Sequence, residues 1–402
     1  MDNPFRFDRL PTDAAFVDRD REVARIVDCI RRGENLLVHG ERRMGKTSCL
    51  RRAARQAAAE LDATCFFADL STQPSLARLT ESLLRNAVPA LASLGEQAAA
   101  WIAGAVRGLV LRPSARASLD ASRAGGPELE LELGVELRAR NERAQAAAFL
   151  EVLDAIDRLA GRRRRRVAVL LDEFTFLEKI GPERVSWQLR GAMQRHQHLT
   201  YVLAGSAQHL IDRMHGPDGP FYGMFGRLAV GPIPEEEMTA WIDRSCARHG
   251  VKPAGVGADC VRRAGPRTRD IVQLARRTFD LGVGARAANA RTVGQAFDSL
   301  LEDFDAEFRS AWSQFPVSAQ AVLVAVAAGE GRSLFTEATR GIFGLGSTAE
   351  VSQVCRRLTR TGRQTTDFRD AVLVRVETPA TLEHRFDNPY FAAWVLGLAQ
   401  PL

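Results

Sequence analysis

Nine residues, Gly40-Glu41-Arg42-Arg43-Met44-Gly45-Lys46-Thr47-Ser48, satisfy the spacing G-x-x-x-x-G-K-[ST]. The chemistry that needs this spacing is polyphosphate binding. The two glycines let successive backbone N–H groups converge on phosphate oxygens, and a following helix N-terminus adds partial positive charge. Lys46 is expected to reach the β- and γ-phosphates of ATP, and Thr47 to offer its hydroxyl to Mg²⁺. Three of the 55 basic residues are lysines, Lys46, Lys179 and Lys252, so lysine is rare in this chain and stands where the loop needs it. A second constellation follows the apolar run Val167–Leu171, which ends in Asp172 and Glu173. A buried strand reads this way, with its acids at the C-terminal end where α/β sheets place their sites. Asp172 is expected to hold Mg²⁺, through water, and Glu173 to orient and deprotonate an attacking water. A surface strand ending in solvated acids would read the same; the loop upstream favours the chemical reading.

These groups need a scaffold, and the pattern supplies one. Val23, Ile26, Val27 and Ile30 recur at helical spacing. Asn35–His39 reads as a strand entering the loop, Lys46–Leu61 as an Ala-rich helix, and 63–70 as a second strand. Ser71–Leu94 reads as a helix broken near Pro89, and Asn141–Ala160 as another helix. Val167–Leu171, Thr200–Ala204 and Leu228–Ile233 read as further strands. Strands alternating with helices predict an α/β fold, a three-layer parallel P-loop sheet. Residues 95–140 interrupt the alternation, and the strict alternation of Glu128–Leu137 predicts an inserted strand or hairpin. The expected organisation is a P-loop core over 1–234 with that insertion, a helical lid over 235–315 and a winged helix over 316–402.

At this point the sequence resembles the archaeal-type ATPases, relatives of the AAA+ and STAND ATPases and of the origin-recognition initiators. The loop is similar to their G-x-R-R-x-G-K-T-S. Phe16-Val-Asp-Arg19-Asp-Arg-Glu22 resembles their F-x-G-R-x-x-E box, with Asp18 in place of the glycine. Leu171–Phe174 is similar to their acidic motif and Leu203–Ser206 to their sensor strand. Phe386-Asp387-Asn388-Pro389-Tyr-Phe-Ala-Ala-Trp394 resembles their D-P-x-F-x-x-W, with Asn388 in place of the aspartate. The resemblance implies an AAA+-like core and a role for Arg19 near the nucleotide base. It also implies a γ-phosphate or water contact for Ser206, for which a plain Gly-Ser strand-ending turn is an equal alternative. Arg227, in a segment similar to the family's Y-G-R, would be an arginine finger acting on a neighbouring subunit's ATP; an ordinary surface arginine is the favoured alternative. Pro266 and Arg267, in Ala264-Gly-Pro-Arg-Thr-Arg269, would be the lid's nucleotide contact, with Arg269 as the other choice for it.

Ser318–Ala327, Thr336–Phe343 and Thr348–Thr361 read as three helices, followed by strands over 363–377 and 381–386, the order of a winged helix. Its third helix carries Gln353, Arg356, Arg357 and Arg360, residues suited to double-stranded DNA. Winged helices also serve protein contacts, and the two uses stand level. The run Arg162–Arg166 lies in a helix-to-strand loop, where a solvated face is the ordinary reading and nucleic acid the alternative. A formal charge of +6 and an isoelectric point near 9.3 admit a nucleic-acid partner without requiring one. Six cysteines without a C-x-x-C pair suggest neither zinc nor a disulfide framework, and fit buried thiols in a cytoplasmic protein. The N-terminus has no apolar core of a signal peptide, and Ala98–Leu111 is too short and too charged to span a bilayer. The sequence therefore predicts an ATP- and Mg²⁺-dependent ATPase, off the membrane, whose nucleotide state controls homo-oligomerisation and DNA engagement. A slow switch acting on a protein partner is the alternative.

Overall fold

The computed structural model describes residues 2–6, 16–92, 109–117, 129–137, 141–182, 184–206, 208–359, 372–377 and 382–399. The described chain falls into two compact units, one of Arg19–Gly231 and one of Met1–Asp18 with Pro232–Leu402.

The first unit is built on five parallel strands in the order β2-β5-β6-β1-β7: β1 Leu36–His39, β2 Thr64–Asp69, β5 Val167–Asp172, β6 Leu199–Gly205 and β7 Gly226–Ala229. Every residue of β5 and β6 is buried, which is why both read as unbroken apolar runs. Helices α1 Asp20–Arg32, α2 Lys46–Leu61, α3 Leu76–Ala92, α4 Glu142–Arg163, α5 Leu177–Ile180, α6 Val185–Met193 and α7 Gln208–His215 connect the strands. Leu79, Leu83, Phe149, Val152 and Ile156 pack on one face of the sheet with Val169, Leu171 and Leu203. Burying each such side chain contributes about 1.5–3 kcal/mol before entropy is counted. The chain goes from β1 to β2 past β6 and β5, so the sheet reverses its winding beside β1. Crevices at such reversals are where α/β sheets bind ligands.

Two expectations shift, and the expected insertion takes the form of a hairpin. Helix α3 runs through Pro89, because one missing N–H removes a single ladder bond without ending a helix held by packing. The last strand begins at Gly226 rather than Leu228, which puts Arg227 inside it. The insertion is an antiparallel hairpin of β3 Leu109–Ala117 and β4 Leu129–Leu137, registered from Leu109↔Leu137 to Ala117↔Leu129.

The second unit is helical. It holds α8 Glu235–Arg248, α9 Val256–Ala264, α10 Thr268–Gly282 and α11 Ala290–Ser313. A short parallel pair, β8 Lys252–Ala254 and β9 Ala287–Asn289, ties them. Then come α12 Val317–Ala327, α13 Glu337–Phe343, α14 Thr348–Thr359, the antiparallel pair β10 Leu373–Glu377 and β11 Leu382–Phe386, and α15 Pro389–Ala399. Three helices and a two-stranded wing are the winged-helix order. The lid helices and the winged helix share one apolar core. Helix α15 joins them: Tyr390 Oη donates to the Asp270 carbonyl at 2.8 Å, and Trp394 Nε1 donates to Asp305 at 2.8 Å. Its N-cap is Asn388, whose side chain accepts from the Tyr390 N–H at 3.0 Å, a task Asn and Asp perform equally well. Residues 2–6 belong to this unit, not to the sheet unit that the 1–234 boundary assigned them to. Phe5 is fully buried there against Trp241 and Phe279, with ring centroids 5.3 and 6.1 Å away.

Candidate active site

The loop after β1 has the geometry its sequence demands. Gly40 has φ 154, and a Cβ there would stand 2.2 Å from the Val230 carbonyl oxygen. Only glycine lets the loop leave the sheet so close to the neighbouring chain. Gly45, at φ 94, caps α2 in the left-handed region and opens the helix whose first residues are Lys46 and Thr47. Arg43 also sits at positive φ, 66. Glu41, Arg42 and Arg43 are exposed, Met44 is buried, and Ser48 is half-buried.

Lys46 is 5% exposed, and its ammonium donates to the carbonyls of Gly40 at 2.9 Å and Glu41 at 2.7 Å. The lysine thus spans the loop that a polyphosphate would fill. Burial pushes its pKa down, and the nearby Glu173 and Asp172 carboxylates oppose that shift. Asp172 is 1% exposed and accepts from the Thr47 hydroxyl at 2.5 Å. Burial raises its pKa, with the Thr47 hydrogen bond working the other way. Asp69, paired with Asp172 across β2 and β5, adds negative charge beside it. Asp69 has its own signal in the sequence: an acid ending the run Phe66-Phe67-Ala68 marks a strand end as Asp172 does.

Glu173 turns away from the strand at φ 47, ψ 44, a conformation an L-residue adopts at some cost. Its backbone N–H donates to Asp172 at 3.0 Å, and the Ser206 hydroxyl lies 2.9 Å from both of its carboxylate oxygens. Ser206 follows β6, the strand between β5 and β1. Lys46, Thr47, Asp172, Glu173 and Ser206 therefore meet at the C-terminal ends of three adjacent strands. A buried lysine, a hydroxyl beside a buried carboxylate and a second, half-buried carboxylate form a donor set that fits Mg²⁺ and a polyphosphate.

Arg19 bonds to the loop's main chain and to Glu22. It is 5% exposed; one terminal nitrogen pairs with Glu22 at 2.8 Å, and the other donates to the carbonyls of Met44 at 3.1 Å and Gly231 at 2.5 Å. Its fork is occupied by protein, so it braces the loop's main chain. Asp18 before it has φ 29, the left-handed region that explains a glycine in the family box. Arg227 is exposed on the edge strand β7, where it donates weakly to the His215 carbonyl at 3.4 Å. Beside it, His215 has its pKa lowered to about 4, by burial first and then by the charges of Arg227 and His39.

Pro266 and Arg267 lie in the helical unit. Arg267 precedes α10, is 4% exposed and pairs with Asp387. Gln353, Arg356 and Arg357 are exposed on α14, whose Val351, Cys355 and Leu358 face the core. Arg360 lies outside the described residues. Among the described residues no helix is long and apolar enough to cross a membrane.

This sheet order, with a phosphate loop after β1 and paired acids at the end of β5, defines the P-loop fold of the AAA+ kind. The fold is shared with a Walker-type ATPase of Pyrococcus abyssi, at TM-score 0.60 and 15% identity, over 97% of this chain and 99% of that one. It is also shared with the ORC2 protein of Aeropyrum pernix in its ADPNP-ADP complexes, at TM-score 0.58 and 11% identity, over 98% and 96% of the two chains. No protein-family model and no curated protein sequence matches the chain.

Proposed function

We propose that this chain binds ATP with Mg²⁺ at Gly40–Ser48 and hydrolyses it. The observation that carries the reading is the Thr47–Asp172 contact at 2.5 Å beside a Glu173 carboxylate held by Ser206. Thr47 and Asp172 would hold the metal, which neutralises phosphate charge when bound. Lys46 exchanges its two carbonyl partners for phosphate oxygens, and charge-assisted bonds of that kind are the stronger ones. Glu173 takes the proton of the attacking water; Ser206 fixes the carboxylate and reports on what lies beside it. Arg19 holds the Met44 carbonyl, so the loop's amides keep facing the ligand. The fold shared with the Aeropyrum pernix protein, whose complexes hold ADPNP and ADP, supports the same reading.

The finer proposal is that nucleotide state governs self-association and DNA engagement. Arg227 on the exposed edge strand would complete the site of a neighbouring copy, and Gln353, Arg356, Arg357 and Arg360 would contact duplex DNA. Turnover measured with and without duplex DNA, together with mass in ATP and in ADP, tests this. Lys46→Ala is expected to lose ATP binding by calorimetry, and unchanged affinity would refute the loop assignment. If Arg227 acts across subunits, turnover per chain rises with protein concentration, and Lys46→Ala subunits partly rescue Arg227→Ala. ATP binding with negligible turnover and no DNA binding would instead favour a switch acting on a protein partner.

A further inference from the structure

The sheet unit carries a second charged feature at the opposite end of its strands. A cleft of about 390 Å³ opens below Val167, Leu199 and Thr200, the first residues of β5 and β6 and their neighbour. Arg31 and Arg32 at the end of α1 form one rim, and Arg164, Arg165 and Arg166 after α4 form the other, with His198 beside them. No aspartate or glutamate is among the lining residues. Helix C-termini attract basic residues for their own dipoles, and that accounts for some arginine here. It does not account for five arginines lining one concavity with no acid among its lining residues.

The cleft is also fixed in shape. Asp157 accepts from three successive backbone N–H groups, those of Gln197, His198 and Leu199, at 3.1, 2.8 and 3.2 Å. The His198 ring lies against Gly161, where a Cβ would come within 2.5 Å of it. Arg166 donates to the Arg31 carbonyl and so ties the two rims together. The arginines' ion pairs are with acids outside the cleft: Asp28 with Arg31 at 3.4 Å and Arg32 at 3.0 Å, Glu60 with Arg31 at 3.5 Å, and Asp62 with Arg165. Exposed pairs of this kind contribute little, so exchanging a carboxylate for a phosphate is easy. The lining offers no Phe, Tyr or Trp on which a base could stack, and Arg31, Arg32, Arg164 and Arg166 are exposed, with Arg165 half-buried, rather than set in a closed pocket. That composition suits a repeating phosphate backbone better than a single small ligand.

We infer that this arginine cleft, at the amino ends of β5 and β6, is a sequence-independent binding site for the phosphate backbone of nucleic acid, separate from both the nucleotide loop and α14. It lies one strand length, roughly 17 Å along β5, from Asp172. The inference does not depend on ATP hydrolysis or on DNA binding by the winged helix.

The test uses the full chain carrying Arg356→Ala and Arg357→Ala, so that α14 contributes little. Fluorescence anisotropy with a 20-base-pair duplex of arbitrary sequence is read across a salt series. Adding Arg32→Ala and Arg164→Ala is expected to reduce the salt slope by about two, one contact's worth for each arginine. Arg164→Lys, which keeps the charge, is expected to keep binding, and unchanged ATP affinity reports an intact fold. Binding and slope unaltered by the two alanines would overturn the inference. So would absence of duplex binding in this background, or binding of inorganic tripolyphosphate alone.

Discussion

The two ends of the central sheet use charge in opposite ways. At the carboxyl ends of β5, β6 and β1, Lys46 and Asp172 are almost fully buried, each held by one or two short hydrogen bonds and each shifted against its charged form. At the amino ends, Arg31 and Arg32 are 46% and 58% exposed and share Asp28. A buried ion costs free energy unless its partners are complete, and a ligand that completes them is bound strongly and in one geometry. A solvated arginine gives up little when it changes partner and prescribes little about the new one. The same fold thus offers a site that selects chemistry at one end and a site that accepts charge at the other.

The contrast can be broken most forcefully at Glu173. Glu173→Gln keeps the shape and removes the base, so ATP binding should persist while turnover falls by about two to four orders of magnitude. Single-turnover hydrolysis beside calorimetry decides it, and surviving turnover would give the water to another residue. Next in size is an effect of pH. His215 has a folded pKa of about 4 against an ordinary 6.5, so the unfolded chain takes up the proton first. Its contribution is present above pH 6.5 and is lost as pH falls towards 4, by about 3 kcal/mol at most. His215→Phe, which keeps the packing against Phe221 and Phe225, should flatten that part of a denaturation series. Arg19→Ala removes a buried fork from Glu22, Met44 and Gly231 and should cost about 2 kcal/mol, with weaker ATP binding as the second readout. At the other end of the sheet, Asp62→Asn breaks an exposed pair while keeping a residue type suited to the φ of 51 at the end of α2, and should move stability by about 0.5 kcal/mol or less. A larger change there would erase the distinction between the two ends.

Much of the constellation was legible because its signals are local. The loop needs its residues at fixed offsets, and a strand buried on both faces shows as an apolar run ending at its acids. The parallel sheet followed from alternation of the two periods. What the sequence could not display were partners far apart in the chain. Arg19 meets Gly231 212 positions later, and Arg267 meets Asp387 120 positions later. Sequence spacing carries no sign of either partner. The start of β7 escapes the sequence pattern because exposed, short edge strands carry little hydrophobic signature. Asn388 shows the reverse case: a departure from the family pattern that a helix cap absorbs without loss.

Phe5 bears on the order of events at the ribosome. Its ring is enclosed by Trp241 and Phe279, so its resting place does not exist until some 270 further residues have been made. At translation speeds of roughly 5–20 residues per second, that interval is on the order of tens of seconds. The whole sheet unit is synthesised in the meantime and can fold while its leading segment waits. A nascent chain halted before Phe279 would carry that aromatic side chain exposed, as a handle for a chaperone and a site for a protease.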